Sequence, residues 1–143
     1  MFLSKENNSK QILSWSFYDF ANQPYTTLII TFIYSAFFVN HIAVNEKDAT
    51  FLWATAISIT AIFVALISPI LGAFADSSGY RKFFLIFFTI ACSFFTALLY
   101  IPDEGDVYLA LIFVVISNIA FEMGTVFCNS YLIDLSNDRN VGK

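Results

Sequence analysis

Four long stretches without charge decide what this chain can fold into. The Lys, Arg, Asp and Glu positions leave Phe20–Asn45 (26 residues), Ala49–Ala75 (27), Phe83–Pro102 (20) and Val107–Ile133 (27, interrupted only by Glu122) between them. A helix rising about 1.5 Å per residue needs about 20 apolar residues to cross about 30 Å of hydrocarbon. All four stretches reach that length. The spacing predicts transmembrane helices over about 17–40, 50–75, 83–102 and 107–132, in a single membrane domain 1–143 with an N-terminal tail over 1–13. The fold class is an all-α membrane protein.

Composition closes off the soluble alternatives. The chain is 58% hydrophobic and 13% charged, whereas soluble domains run near about 45–50% and about 25%. Disordered chains have the opposite bias. A net charge of −4 and the lack of a basic, aromatic-interleaved stripe speak against nucleic acid as a partner. Lys5 and Lys10 precede the first span as the basic start of a signal peptide would, but the apolar stretch is too long and no small-x-small cleavage site follows, so it reads as a retained span. Cys92 and Cys128 both fall inside predicted spans with neither metal-site nor disulfide spacing. They read as packing residues, and neither a metal nor an organic cofactor is expected.

The basic residues set an orientation. Lys5 and Lys10 precede span one, Arg81 and Lys82 separate spans two and three, and Arg139 and Lys143 follow span four, so six of the seven bases share one side. The other side has only Lys47, and the turn Asp103-Glu104-Gly105-Asp106 has none. By the positive-inside rule both termini and the Arg81-Lys82 loop are cytoplasmic, in a membrane read as the bacterial inner membrane.

Ionisable groups inside spans are costly, and those that persist usually face a bundle interior or a water-filled path. Asp19 opens span one, with Asn22 and Thr26 at i+3 and i+7. Span four places Asn118, Glu122, Thr125 and Asn129 at steps of four, three and four. At about 100° per residue each set shares one helix face. Two polar stripes opening toward the cytoplasm are the expected lining of a substrate or proton pathway. A structural role competes at both acids: Glu122 as a buried, hydrogen-bonded acid, Asp19 as a solvated or helix-capping one.

Span two carries small residues instead. Ala54, Ser58, Ala61, Ala65, Ser68 and Gly72 recur at steps of 4, 3, 4, 3 and 4, a stripe that lets another helix backbone approach closely. Pro69 removes one backbone donor inside the same span. The stripe calls for a partner helix, within this chain or outside it.

After the stripe comes Gly72-Ala73-Phe74-Ala75-Asp76-Ser77-Ser78-Gly79-Tyr80-Arg81-Lys82. Gly, Asp four residues on, Gly three after that and then a basic pair, between spans two and three, resembles the loop signature of the major facilitator superfamily of secondary transporters. It departs in having Ser77 where a base is common and in inserting Tyr80. Ser14-Trp15-Ser16-Phe17-Tyr18-Asp19-Phe20-Ala21-Asn22 and Asn129-Ser130-Tyr131-Leu132-Ile133-Asp134 resemble the branch of autophagy-related vacuolar amino-acid effluxers.

The resemblance implies the N-terminal part of a facilitator-type helical bundle, with helices one and four lining a cavity. It implies a gating loop of Gly72, Asp76, Gly79, Arg81 and Lys82, and a second helix that faces a helix of the missing second half. Four spans in 143 residues, about 36 per span, put a twelve-helix transporter near about 430. The chain accordingly reads as an N-terminal fragment whose partners are the lipid bilayer, a small-molecule solute, protons and the missing C-terminal helices.

The leading expectation is secondary transport of a small polar solute such as an amino acid by alternating access, with Glu122 or Asp19 as a proton-coupling group. A self-contained four-span protein, acting as a homodimeric small exporter or assembly factor through the span-two stripe, is the alternative. A membrane-embedded enzyme holding a phosphorylated head group with Asp76, Arg81 and Lys82 is a third class. It lacks a metal cluster, a phosphate-cradling loop and a nucleophile-base pair, so no enzymatic activity is expected.

Overall fold

The computed structural model describes residues 5–43 and 46–135, all helix apart from short turns. Four helical runs are long and apolar enough to cross a membrane: Leu13–Ile42, Asp48–Phe74, Arg81–Leu98 and Val107–Ser130, here spans one to four. The protein is an all-α integral membrane protein.

Span one is not a uniform α-helix. An α-helix over Lys5–Pro24 gives way to a π-helix over Tyr25–Phe32, a short α stretch over Ile33–Phe37 and a second π stretch over Phe38–Ile42. The change falls at Pro24, which has no N–H to donate and whose ring crowds the carbonyl four residues back. Widening the turn relieves both, because each donor then reaches five residues back. The side chains follow: the Thr31 hydroxyl donates to the Thr26 carbonyl at 2.9 Å, five residues away, whereas Ser35 returns to the four-residue step at Thr31.

Span two continues through Pro69 to the end of the helix Glu46–Ser78. It stops at Gly79, whose φ of 71° is the left-handed value that only glycine adopts cheaply. Two residues later Arg81 begins span three. At the opposite end, Gly105 (φ 96°) turns the chain between spans three and four. Its N–H donates to the Ile42 carbonyl at 2.9 Å and so satisfies the end of span one. Asp106 accepts the Ala110 N–H at 3.0 Å and starts span four, while its carboxylate accepts the Asp103 N–H at 3.3 Å.

Span four is the centre of the assembly and packs against the other three. Near the 103–106 turn, Phe38 and Ile42 of span one, Ala49 and Ala56 of span two, and Ala110, Leu111 and Val114 of span four form one buried cluster. Toward the other end Phe127 inserts between two rings of span three, stacked on Phe84 at 5.3 Å and on Phe88 at 5.8 Å. Small residues on spans two and four let the backbones approach, and the aromatic rings fill the wider gap to span three.

Candidate functional site

Span one meets its neighbours through a row of aromatic and amide residues, Trp15, Tyr18, Asn22 and Tyr25, at steps of three, four and three. The Trp15 indole N–H donates to the Cys128 carbonyl of span four at 3.0 Å. Tyr18 and Thr89 of span three share a hydroxyl–hydroxyl bond of 2.6 Å. Because the Thr89 hydroxyl also donates to the Leu85 carbonyl at 2.7 Å, Tyr18 is the donor to Thr89. Tyr25, at the first residue of the π segment, bonds the fully buried Ser117 at 2.8 Å, and its ring stacks on Phe121 at 4.6 Å.

The span-four residues facing this row are Ser117, Phe121, Gly124 and Cys128, at steps of four, three and four. A β-carbon at Gly124 would lie 3.5 Å from the Tyr18 hydroxyl, an ordinary contact, so the approach of Tyr18 does not itself require glycine there. Between spans one, three and four is a cavity of about 40 Å³ bordered by Tyr18, Asn22, Thr89, Cys92 and Ser93 among others. At about 10–15 Å³ per water it has room for about three waters and is too small for an organic solute.

The predicted stripe of Asn118, Glu122, Thr125 and Asn129 lies one residue, about 100°, around span four from the packed row. It borders the seam instead of filling it. Asn118 is 6% exposed. Glu122 is half-buried and within electrostatic reach of Tyr25. Thr125 is half-buried with its hydroxyl on the Phe121 carbonyl at 3.1 Å, and Asn129 is exposed. Access thus increases along the stripe from the middle of the span to its 130 end. On span one, Asp19 is half-buried beside Cys128, Asn22 borders the small cavity, and Thr26, beyond Pro24, is exposed.

Of the loop residues, Gly72 lies within the span-two helix, Gly79 makes the left-handed turn, Arg81 is half-buried at the start of span three, and Lys82 is exposed. The side chains of Asp76, Lys5, Lys10 and Asp134 lie outside the described residues, as do Arg139 and Lys143 altogether. The small-residue stripe turns outward: Ala54, Ser58, Ala61 and Ala65 are exposed, with Ser68 and Gly72 half-buried. Span two uses a different face, Ala49, Ala56 and Thr60, for packing inside the chain. Among the described residues no group of three or more His, Cys, Asp or Glu residues could hold a metal.

Among the described residues, four helices long and apolar enough to cross a membrane, a buried amide and a half-buried acid along the central one, and a tight Gly79 turn before Arg81 form one helical membrane bundle. The family described as vacuole effluxer Atg22-like matches residues 36–141, and the chain belongs to that family. It is similar to an uncharacterized MFS-type transporter of Bacillus subtilis, YxiO, with 33% identity over 93% of this chain and 32% of the relative. An uncharacterized protein of Aquifex aeolicus is 30% identical over 87% of this chain and 31% of its own length. The chain spans about a third of the length of these relatives. No solved structure matches it significantly.

Aromatic residues of the Trp15–Asn22 stretch on which the resemblance rests are those that tie span one to spans three and four. Trp15, Tyr18, Tyr25, Thr89 and Ser117 escaped the reading of the sequence as site residues because the acids dominate its polar pattern. The spacing of three, four and three in the aromatic row is the signal that locates that face.

Proposed function

We propose that the chain is the N-terminal part of a secondary transporter that moves a small polar solute, such as an amino acid, by alternating access. Both termini and the Gly79–Lys82 turn lie in the cytoplasm of a bacterial inner-membrane protein. Asp19, Asn22 and Thr26 on span one and Asn118, Glu122, Thr125 and Asn129 on span four line the solute or proton pathway, and Glu122 is the proton-coupling group. Gly72, Asp76, Gly79, Arg81 and Lys82 form the cytoplasmic gate. The observation that carries this reading is the graded polar face of the central helix. A buried amide, a half-buried acid and an exposed amide follow one another along a helix that is mostly apolar, an arrangement that costs stability without a use for it. Family membership and the MFS-type relative support the same class. Uptake into proteoliposomes holding the complete transporter tests it: accumulation driven by a pH gradient is expected, and no solute movement at any gradient across a panel of amino acids would sink it.

The outward-facing small stripe favours a helix partner beyond these four spans, which in this reading comes from the C-terminal part of the transporter. A second copy of the chain is the competing occupant. With Cys92 and Cys128 replaced by Ser, Ala61→Cys is expected to give no disulfide-linked dimer in the complete transporter, because the position is covered internally. Efficient dimer formation there would instead support a self-contained, homodimeric four-span protein.

A further inference from the structure

At the end of the bundle that carries the turn 103–106, span one, the end of span three and that turn border an open cavity of about 710 Å³. This is within the range of small-molecule sites, about 300–1,000 Å³. Its apolar surface includes Ile29 and the buried Leu99, its aromatic surface includes Tyr34, Phe37 and Tyr100, and Asp103 stands at its exposed rim. Tyr34 and Phe37 have ring centroids 6.0 Å apart, and His41 stacks on Phe37 at 5.2 Å, so this part of the wall is a continuous aromatic corner.

Two polar groups on residues of this wall lack protein partners among the described residues. Tyr34 is only 7% exposed, yet its buried hydroxyl forms no hydrogen bond among the described residues. A buried hydroxyl without a partner is a standing cost, and with less than 1 Å² accessible this one lies beneath the cavity surface. Asp103 joins its turn through the backbone alone: its N–H donates to the Asp106 carboxylate, and its carbonyl accepts the Asp106 N–H at 3.0 Å. Its own carboxylate is left uncommitted. Among the described residues no Lys or Arg lines the cavity, and the adjoining turn adds Glu104 and Asp106.

We propose that this cavity is a binding site for a small organic ammonium ion, with the charge beside Asp103 and the hydrocarbon body against Phe37, Tyr34 and Leu99. A carboxylate next to aromatic faces attracts a cation from both directions, and the acidic turn repels anions. A bare divalent ion is disfavoured because it needs several oxygen ligands, and among the described residues Asp103 is the one carboxylate lining the cavity. The site lies at the opposite end of the bundle from the Gly79 turn and does not depend on the transport reading.

The test is a titration of the detergent-purified protein with 2-phenylethylamine, charged at neutral pH, against its neutral analogue 2-phenylethanol, read as protection from thermal unfolding. The amine is expected to protect saturably and the alcohol to bind about tenfold more weakly or worse. Asp103→Asn, at an exposed position, folds normally and brings the amine down to the level of the alcohol. Tyr34→Phe keeps the ring, raises the unfolding temperature of the unliganded protein by removing the orphaned hydroxyl, and leaves the amine affinity unchanged. Equal binding of amine and alcohol, an unchanged amine affinity in Asp103→Asn, or protection by neither compound would overturn the assignment, the last by showing the cavity filled or closed in the whole protein.

Discussion

Replacing Glu122 with Gln is expected to abolish gradient-driven uptake while leaving solute exchange within a few-fold of the parent. Glutamine keeps the size and hydrogen-bonding capacity of the side chain and removes only the exchangeable proton. Loss of a positioned proton-transfer group costs about 10²- to 10⁴-fold, so accumulation against a gradient falls to background. Counterflow, in which labelled solute exchanges across the membrane with no net proton movement, needs only the binding site and the conformational cycle. The two assays therefore separate coupling from binding. The structural basis is the position of Glu122, half-buried on the central helix and within electrostatic reach of Tyr25 at the span-one seam. Unchanged uptake with unchanged pH dependence in Glu122→Gln would remove this residue from the mechanism.

The second large effect is on stability. Phe127→Ala is expected to cost about 2–3 kcal/mol, measured as reversible unfolding in mixed micelles. Phe127 is 1% exposed and sits between Phe84 and Phe88, so truncation opens a void that helix backbones cannot easily close. In water a buried Phe→Ala change costs about 3–5 kcal/mol, including the transfer of the ring from solvent. Lipid is as apolar as the protein interior, so only the packing and cavity part survives in a membrane protein. Phe83→Ala is the control. Phe83 is 61% exposed, and its loss is expected to change stability by less than about 0.5 kcal/mol. Equal effects at the two positions would mean that the stack on span three does not hold the bundle together.

The parts of this structure that the sequence makes legible are those set by charge and by glycine. Runs free of charge mark the spans, because a charged residue in lipid is expensive at any rotation of the helix. Gly79 and Gly105 mark turns because their positive φ values suit no other residue as well. The small stripe of span two and the polar stripe of span four follow from a period of 3.6 alone. What the sequence leaves open is rotation. Span four is apolar nearly all round, so the rows Ser117–Phe121–Gly124–Cys128 and Asn118–Glu122–Thr125–Asn129 have the same spacing, and nothing local tells which one packs. Packing chose the row in which Ser117 bonds Tyr25 and the Cys128 carbonyl accepts from Trp15. The course of span one is hidden for a different reason. Pro24 announces a disturbance, but whether the helix kinks, breaks or widens depends on what neighbouring spans offer to the freed groups. Here it widens from Tyr25 on, and Thr26 emerges exposed although its spacing from Asp19 and Asn22 is that of a single α-helical face.

The central claim is that the polar face of span four borders water in the working transporter. Cysteine labelling tests it most directly. In a background with Cys92 and Cys128 replaced by Ser, single cysteines at Asn118, Glu122, Thr125 and Asn129 would be exposed to a charged, membrane-impermeant thiol reagent applied from the cytoplasmic side, with Ile112 and Ile119 on other faces as references. Labelling at the four stripe positions, fastest at Asn129 and slowest at Asn118, with none at the references, is the predicted result. Stripe positions that stay as inert as the references would show that this face is packed or lipid-covered, and would contradict the pathway.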